Sequence, residues 1–200
     1  MKEQLLNLAK QRRSIYALGR NVNASEDDLA NLIKETIKWA PTSFNNQTTR
    51  AVILFGDSHE KLWDIVAKRL KSEVPTEEAY QKTLQKINSF KSAFGTVMFY
   101  TDMAIVHRFE SDFALYADNF KDWAEQGQGY AQFAVWTALA ENGLGANLQH
   151  YNPLIDEEVK AAFNIPDNWQ LRAEMDFGSI EAPAGDKEFM ADEDRFKVLK

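Results

Sequence analysis

The chain has no cysteine among its 200 residues, and this absence removes several kinds of chemistry at once. Disulfide bonds, thiolate metal sites and cysteine nucleophiles are all excluded. Because a chain without disulfides is typical of intracellular proteins, we expect a cytoplasmic location. With 44% hydrophobic residues, a chain of this length can bury a core of its own without covalent cross-links.

Long apolar runs and an excess of positive charge are also lacking. The amino terminus has too short an apolar stretch for a signal peptide, and no window approaches the roughly 18 apolar residues of a membrane helix. Asp and Glu (30) outnumber Lys and Arg (23), which gives a net charge of -7. Such a surface repels a phosphate backbone, so we expect neither a membrane nor a nucleic-acid partner, and any bound phosphate should occupy a local basic pocket.

Several widespread catalytic motifs are absent from the sequence. There is no G-x-S-x-G, no P-loop, no H-E-x-x-H and no G-x-G-x-x-G, so hydrolase, kinase, zinc-protease and Rossmann interpretations have no support. Gly143 follows a helical pattern, which indicates a helix C-cap and a turn. His107 and Glu110 share a helix face but have no second pair nearby, so we expect a hydrogen-bonded surface pair and no metal site.

The hydrophobic pattern alternates between short apolar strands and amphipathic helices. The helix after Ser25 has a capping box and an apolar stripe that stops at Pro41. Asp57 or Ser58 is expected to cap the helix after the first strand. The predicted strands cover residues 50–55, 96–101 and 170–177, with 145–152 as strand or loop, and the predicted helices cover residues 3–12, 25–40, 58–70, 76–91, 103–142 and 153–163.

No repeat, linker or low-complexity tract divides the chain, so residues 1–200 are predicted to form one α+β domain with terminal arms. The last part of the long helical region is apolar on nearly all sides and must therefore be buried. Tyr130, Phe133 and Trp136 on this helix are core or dimer-interface candidates. The charged tail after Pro183 cannot bury itself, which favours a position on a partner subunit.

Three separated segments have complementary binding chemistry. They are Arg12-Arg13-Ser14 with Tyr16, the loop Pro41–Gln47, and Arg195-Phe196-Lys197 near the carboxyl end. A flavin mononucleotide (FMN) needs cations and a hydroxyl for its phosphate, amides for its pyrimidine edge and apolar cover for its ring. Each segment also has a plainer interpretation: a helix C-terminus complemented by arginine, turn-forming asparagines at 45 and 46, and a solubilising tail.

Four segments in order resemble motifs of the FMN-dependent nitroreductase family, especially its compact subgroup of about 200 residues. They are QRRSIYALG, APTSFNNQTTR, NGLGANLQHYNP and DRFKV, and the likeness covers nearly the whole length. The resemblance implies a nitroreductase-like fold, with a central mostly antiparallel sheet flanked by helices. It also implies an intertwined homodimer with an extended C-terminal arm and the flavins at the subunit interface.

The resemblance also implies roles for individual residues. The residues implied to gather at the phosphate and ribityl chain of FMN are Arg12, Ser14, Arg195 and Lys197, with Arg13 nearby. The residues implied to line the ring and ribityl chain from the partner subunit are Pro41, Thr42, Ser43 and Asn45. Gln47 is implied to hold this loop in place or to contact the pyrimidine edge of the flavin. The backbone of Leu148, Gln149 and His150 is implied to pass close to the flavin. Tyr16, expected near the pyrimidine, stands where many members have lysine, and Thr48-Thr49 replaces a common Pro-Trp.

The activity implied is a ping-pong reaction in which NAD(P)H reduces FMN and a nitroaromatic or quinone-type acceptor then reoxidises it. Phe44, Tyr100 and Phe109 are candidate gates of the acceptor pocket, because they lie beside predicted strand ends or the flavin loop. Two other functions stay open from the sequence. One is a flavin-binding regulatory protein with little turnover, and the other is a cofactor-free helical interaction module.

Overall fold

The computed structural model describes residues 2–200 and contains a five-stranded sheet. All of the strand pairings are antiparallel, in the order β1-β5-β3-β2, and β4 also pairs with β5. The predicted antiparallel sheet is therefore confirmed, and the longest strand, β5, lies at its centre. The strands are β1 (Leu18–Gly19), β2 (Thr49–Phe55), β3 (Gly95–Asp102), β4 (Gly145–Gln149) and β5 (Trp169–Ile180).

Residues 2–200 also contain eight α-helices. They are α1 (Gln4–Gln11), α2 (Glu26–Trp39), α3 (Gly56–Leu70), α4 (Glu77–Lys91), α5 (Met103–Asp112), α6 (Phe120–Glu141), α7 (Asp156–Phe163) and α8 (Asp192–Arg195). Short 3-10 segments lie at Ser43–Asn45 and Ala114–Asn119. No helix within residues 2–200 has the length and apolar character needed to cross a membrane.

Helices cover both faces of the sheet, so the chain has two apolar layers. One layer joins alternate residues of β2 and β3, such as Leu54 and Met98, to α3, α4 and α7. The other joins the intervening residues, such as Val97 and Phe99, to α2 and α6. Because successive strand side chains point to opposite faces, two-sided cover buries every residue of β3.

Local signals mark several helix ends as expected. Ser25 accepts a hydrogen bond from the backbone N–H of Asp28 and caps α2. Gly143 has a φ of 76°, and its N–H and that of Leu144 bond back to Ala140 O and Leu139 O. This Schellman arrangement confirms the predicted C-cap, since glycine adopts positive φ without a Cβ penalty.

Four sequence expectations need correction. Neither Asp57 nor Ser58 caps α3, because the helix starts directly after β2 at Gly56, whose φ of 50° makes the turn. The region 103–142 is broken by the 3-10 segment, and helix α7 begins at Asp156, three residues after Pro153. Helix α6 is not buried on all sides, because Tyr130 and Phe133 are 49% and 44% exposed in the single chain.

Candidate functional site

The basic segment, residues 12–14, leaves α1 and runs beside β4. Ser14 forms an isolated parallel bridge with Ala146, and the Ile15 N–H donates to Ala146 O at 2.9 Å. Trp136 on α6 donates its indole N–H to Arg13 O (3.2 Å) and Ala146 O (3.1 Å). The sheet and α6 therefore fix the backbone that carries the two arginines.

This backbone places the basic segment at a cleft of about 520 Å³. Its other wall is residues 182–187 of the arm, which we define as residues 181–200. Arg13 Nη2 donates to Gly185 O at 2.7 Å and so joins the two walls. Four sequence-predicted site residues are thus brought together at one cleft, namely Arg12, Arg13, Ser14 and Tyr16. Lys187 also lines the cleft, and the sequence interpretation missed it.

The surroundings of Arg12 shift the pKa of its guanidinium and leave one of its donors unused. Its guanidinium lies 4.6 Å from the ring centroid of Trp136, and its Nε is buried without a hydrogen-bond partner among residues 2–200. Burial, and then the neighbouring charge of Arg13, lowers the pKa of Arg12 below its ordinary value, although an arginine stays charged in proteins. An unused buried donor beside a second guanidinium and a hydroxyl fits a phosphate group well.

Arg195 and Lys197 are not brought to this cleft within the chain. Both are exposed, and Arg195 lies over the ring of its neighbour Phe196 at 5.4 Å. Neither forms an ion pair among the described residues 2–200. Their expected place at the phosphate stays a prediction, and Lys187 is the cation that the arm supplies in this chain.

The amide loop, residues 41–47, lies away from the cleft lining of its own chain and packs on α6. A Cβ built on Gly127 would be 3.4 Å from Thr42 Cγ2. The loop holds three non-glycine residues at positive φ: Phe44 (56°), Asn45 (49°) and Gln47 (50°). Such conformations cost energy and are often found where a loop is shaped for binding.

Hydrogen bonds within the amide loop leave the buried side chain of Asn46 without a partner among residues 2–200. Thr42 Oγ1 accepts from the Gln47 N–H at 3.0 Å, and Gln47 Nε2 reaches Asn45 O only at 3.5 Å. Asn46 is 6% exposed, yet neither its Oδ1 nor its Nδ2 has a partner within residues 2–200. The sequence interpretation treated Asn46 only as a turn residue; the N-N pair that contains it was the available signal.

An aromatic cluster lies against the amide loop. The ring of Phe44 is 4.8 Å from Phe113, 5.7 Å from Phe120 and 5.9 Å from Trp123, centroid to centroid. Phe109 joins the cluster through Phe113 at 5.6 Å. Two of the three candidate gates, Phe44 and Phe109, are therefore neighbours of one surface cluster.

Tyr100, the third candidate gate, is wrongly assigned. It is 2% exposed and packs in the core on Trp169 at 5.9 Å. Burial, followed by the charges of Glu174 and Asp156, raises the pKa of Tyr100 above its ordinary range. The sequence placed it beside a strand end, but the helices α3 and α7 cover that face of the sheet.

The three residues predicted beside the flavin, at the end of β4 and directly after it, lie in three different environments. Leu148 packs into the layer between the sheet and α6. Gln149 turns to the other face and donates its Nε2 to Asn147 Oδ1 at 2.7 Å. His150 is exposed. None of the three lines the cleft within this chain, so the approach of their backbone to a flavin stays a prediction.

Two buried acids on β5 were not anticipated as site neighbours. Glu174 and Asp176 are both fully buried, on the face opposite to Ala173 and Met175. Burial raises the pKa of Glu174 to about 8, and burial followed by the charge of Glu174 raises the pKa of Asp176 well above its ordinary range. The alternation in Glu174-Met175-Asp176 would by itself predict that the two acids face solvent. They are buried instead because helices cover both faces of the sheet.

The hydrogen-bonded surface pair expected for His107 and Glu110 is present. Their Nδ1 and Oε2 atoms form a hydrogen-bonded pair at 2.9 Å on the surface of α5. Across residues 2–200 there is no group of three or more histidine, aspartate or glutamate side chains placed to hold a metal ion.

Comparisons with known proteins agree with this geometry. The sequence model of the nitroreductase family matches residues 9–179. Nitroreductase CinD from Lactococcus lactis is 54% identical, with a TM-score of 0.92 over 98% of this chain and 100% of that one. CinD is described in complexes with nicotinic acid, chloramphenicol and 4-nitrophenol.

Two more distant proteins extend the comparison. Nitroreductase FRM2 of Saccharomyces cerevisiae is 36% identical over 189 residues, which cover 92% of each chain. A nitroreductase from Desulfitobacterium hafniense with bound FMN shares the fold, with a TM-score of 0.71 over 100% of both chains, at 14% identity.

The matched length and the identities confirm both the resemblance and the fold inferred from the sequence. The chain therefore belongs to the nitroreductase family and is an oxidoreductase of that family.

Proposed function

We propose that the chain binds FMN with its phosphate in the cleft beside Arg12, Arg13 and Ser14. The observation that carries this proposal is the buried, unpartnered Nε of Arg12 in a cleft that also presents a second guanidinium and a hydroxyl. A doubly charged phosphate would satisfy that donor and offset the repulsion between the two arginines. Lys187 adds a third cation, and Tyr16 lines the same cleft.

The reaction proposed is the reduction of nitroaromatic or quinone-type acceptors by NADH or NADPH in two half-reactions. FMN, when bound, supplies the chemistry by accepting a hydride and passing its electrons on. The ligands of CinD support this reaction class, since nicotinic acid contains the pyridine ring of NAD(P)H and the other two ligands carry nitro groups. The protein's part is to bind, orient and exclude water.

A homodimer is part of the same proposal. Within one chain the cleft has no cover for a flavin ring, and the amide loop does not reach it. Exposed apolar side chains support a second copy as the cover: Leu5, Trp39, Tyr130 and Phe133, with Phe189 and Phe196 on the arm. In this arrangement Pro41, Thr42, Ser43 and Asn45 of the partner subunit would line the ring.

Two measurements on the purified protein test the function. We expect an oxidised-flavin spectrum that bleaches on anaerobic addition of NADH and returns on addition of 4-nitrophenol or benzoquinone, and a dimer mass in light scattering. Bound flavin that NADH does not reduce would favour the regulatory alternative instead. A colourless protein that takes up no added FMN would refute the proposal.

Arg12→Ala tests the phosphate site directly. Loss of a charged hydrogen bond costs about 1.5 to 3 kcal/mol, so the FMN Kd should rise by roughly ten-fold to a hundred-fold. Arg20→Ala is the matched control, because Arg20 pairs with Glu60 outside the cleft. Equal FMN affinities for the Arg12→Ala and Arg20→Ala proteins would remove Arg12 from the site.

A further inference from the structure

Asn147 lies between the basic segment and the buried acids of β5. In the β4–β5 register Asn147 is opposite Asp176, and Gln149 is opposite Glu174. Opposite residues of an antiparallel pair share a face. These polar side chains therefore form one patch inside the protein, behind the strand that supports the basic segment.

The amide of Asn147 uses its full donor capacity, and its oxygen is also bonded. Its Nδ2 donates to Ile15 O at 2.8 Å and to Asp176 Oδ2 at 3.0 Å. Its Oδ1 accepts from Gln149 Nε2 at 2.7 Å. Since Asn147 is fully buried, no water replaces these bonds without opening the structure. The side chain therefore has one orientation, in which it holds the carbonyl that follows Ser14.

Asp176 on β5 helps to fix the orientation of this amide. Its Oδ2 accepts from Asn147, and its Oδ1 has no hydrogen-bond partner among the described residues. Burial, together with the nearby Glu174, raises the pKa of Asp176 well above its ordinary range. An asparagine at position 176 would present the same acceptor in the same shape.

We propose that Asn147, oriented by Asp176, is a positioning residue for the phosphate end of the cofactor. Asn147 fixes the backbone at Ile15 and so holds Arg12, Arg13 and Ser14 toward the cleft. This inference rests on the proposed FMN site. It does not require Asn147 to contact the flavin, because the side chain is buried, does not line the cleft and acts through its hydrogen bond to Ile15 O.

The test compares FMN with riboflavin, which lacks the phosphate. In Asn147→Ala, displacement of the basic segment should raise the Kd of FMN roughly ten-fold, while the Kd of riboflavin should change by less than about two-fold. A general loss of structure in Asn147→Ala would instead weaken the binding of FMN and of riboflavin to the same extent. Combining Asn147→Ala with Arg12→Ala should add little to the FMN loss, because both changes remove one interaction with the phosphate.

Three further variants make the outcome decisive. Asp176→Asn should keep the FMN preference over riboflavin, since it preserves the acceptor for Asn147. Val159→Ala, a cavity variant in α7 outside this patch, should lower thermal stability but leave the preference unchanged. Asn147→Ser, which retains a single donor, replaces Asn147→Ala if the latter does not fold, with the same expected result.

The possible results separate this inference from the proposed function. If the wild-type protein binds FMN and riboflavin equally, the cleft is not a phosphate site and the proposed cofactor geometry is wrong. If the wild-type protein prefers FMN and both Asn147 variants keep that preference, only the positioning role is overturned. Failure of both Asn147 variants to fold also counts against the positioning role, because substitution of a residue that only positions the basic segment should leave the chain folded.

Discussion

Glu174→Gln should change how the stability of the protein depends on pH. Burial raises the pKa of Glu174 to about 8, with the charge of Asp156 adding to the effect and the Tyr151 N–H, at 3.0 Å from Oε2, opposing it. In the unfolded chain the carboxyl ionises near its ordinary pKa of 4.5. Between these values the folded state holds a proton that the unfolded state has lost.

The sign and size of the effect follow from that difference. Because the folded pKa is raised, the free energy of unfolding falls as pH rises from the unfolded pKa to the folded one. One proton contributes roughly 1 kcal/mol per pH unit, or roughly 3 kcal/mol between pH 5 and pH 8. For a chain of this size that corresponds to a change in Tm on the order of 6 to 12 °C.

The glutamine variant has the shape of the protonated acid but does not titrate. We therefore expect the two proteins to have similar stability at pH 5 and the variant to be the more stable one at pH 8. Asp176 contributes to the slope in the same direction in both proteins. Because the charge of Glu174 is one cause of the raised pKa of Asp176, the difference between the proteins reports the titration of Glu174 together with its effect on Asp176.

The assay is thermal unfolding from pH 5 to pH 9 at fixed protein and FMN concentrations, since both ligand and subunit association shift Tm. Glu188→Gln, on the exposed arm, is the matched control and should follow the wild-type protein. Parallel curves for wild type and Glu174→Gln across this range would show that Glu174 is ionised in the folded protein and that the reasoning is wrong.

Two further predictions concern the aromatic cluster and a helix end. Phe44→Ala should change KM or kcat for a nitroaromatic acceptor while leaving the FMN Kd within about two-fold, and unchanged acceptor kinetics would discard its role as a gate. Gly143→Ala should cost about 1 kcal/mol of stability, because its φ of 76° is unfavourable for alanine even though a Cβ has open space. Gly129→Ala on α6, also in open space, should instead stabilise by a similar amount, so equal effects at both positions would contradict the backbone argument.

The parts of the fold that the sequence predicted correctly are those controlled by near neighbours. The Ser25 cap, the stop before Pro41 and the glycine after α6 are chemistries of a few adjacent residues. The start of α3 failed because Gly56 makes the turn from β2 without a capping side chain. A short polar cluster after a strand is compatible both with a helix capped by a side chain and with a helix that begins directly at a glycine turn.

The site was predictable to the extent that residue type alone carries the chemistry. Two arginines and a hydroxyl next to each other predicted a phosphate site, and the structure places them at one cleft with Tyr16. Lys187 was missed because a lone surface lysine has no distinctive local pattern, and Asn46 was missed because an N-N pair is equally typical of a turn. Tyr100 was misplaced because its burial depends on helices remote in sequence.

The sequence by itself determined the positions of most strands and helices and the residue types available to hold an anion, because periodicity, capping and residue chemistry act over a few positions. The family came from the resemblance of four segments to nitroreductase motifs. Only the tertiary structure decided which of these residues meet. It placed helices on both faces of β5 and so buried Glu174 and Asp176, and it stacked Asn147 between Asp176 and the carbonyl of Ile15. Burial and long-range hydrogen bonding depend on the packing of distant segments, which no local pattern specifies.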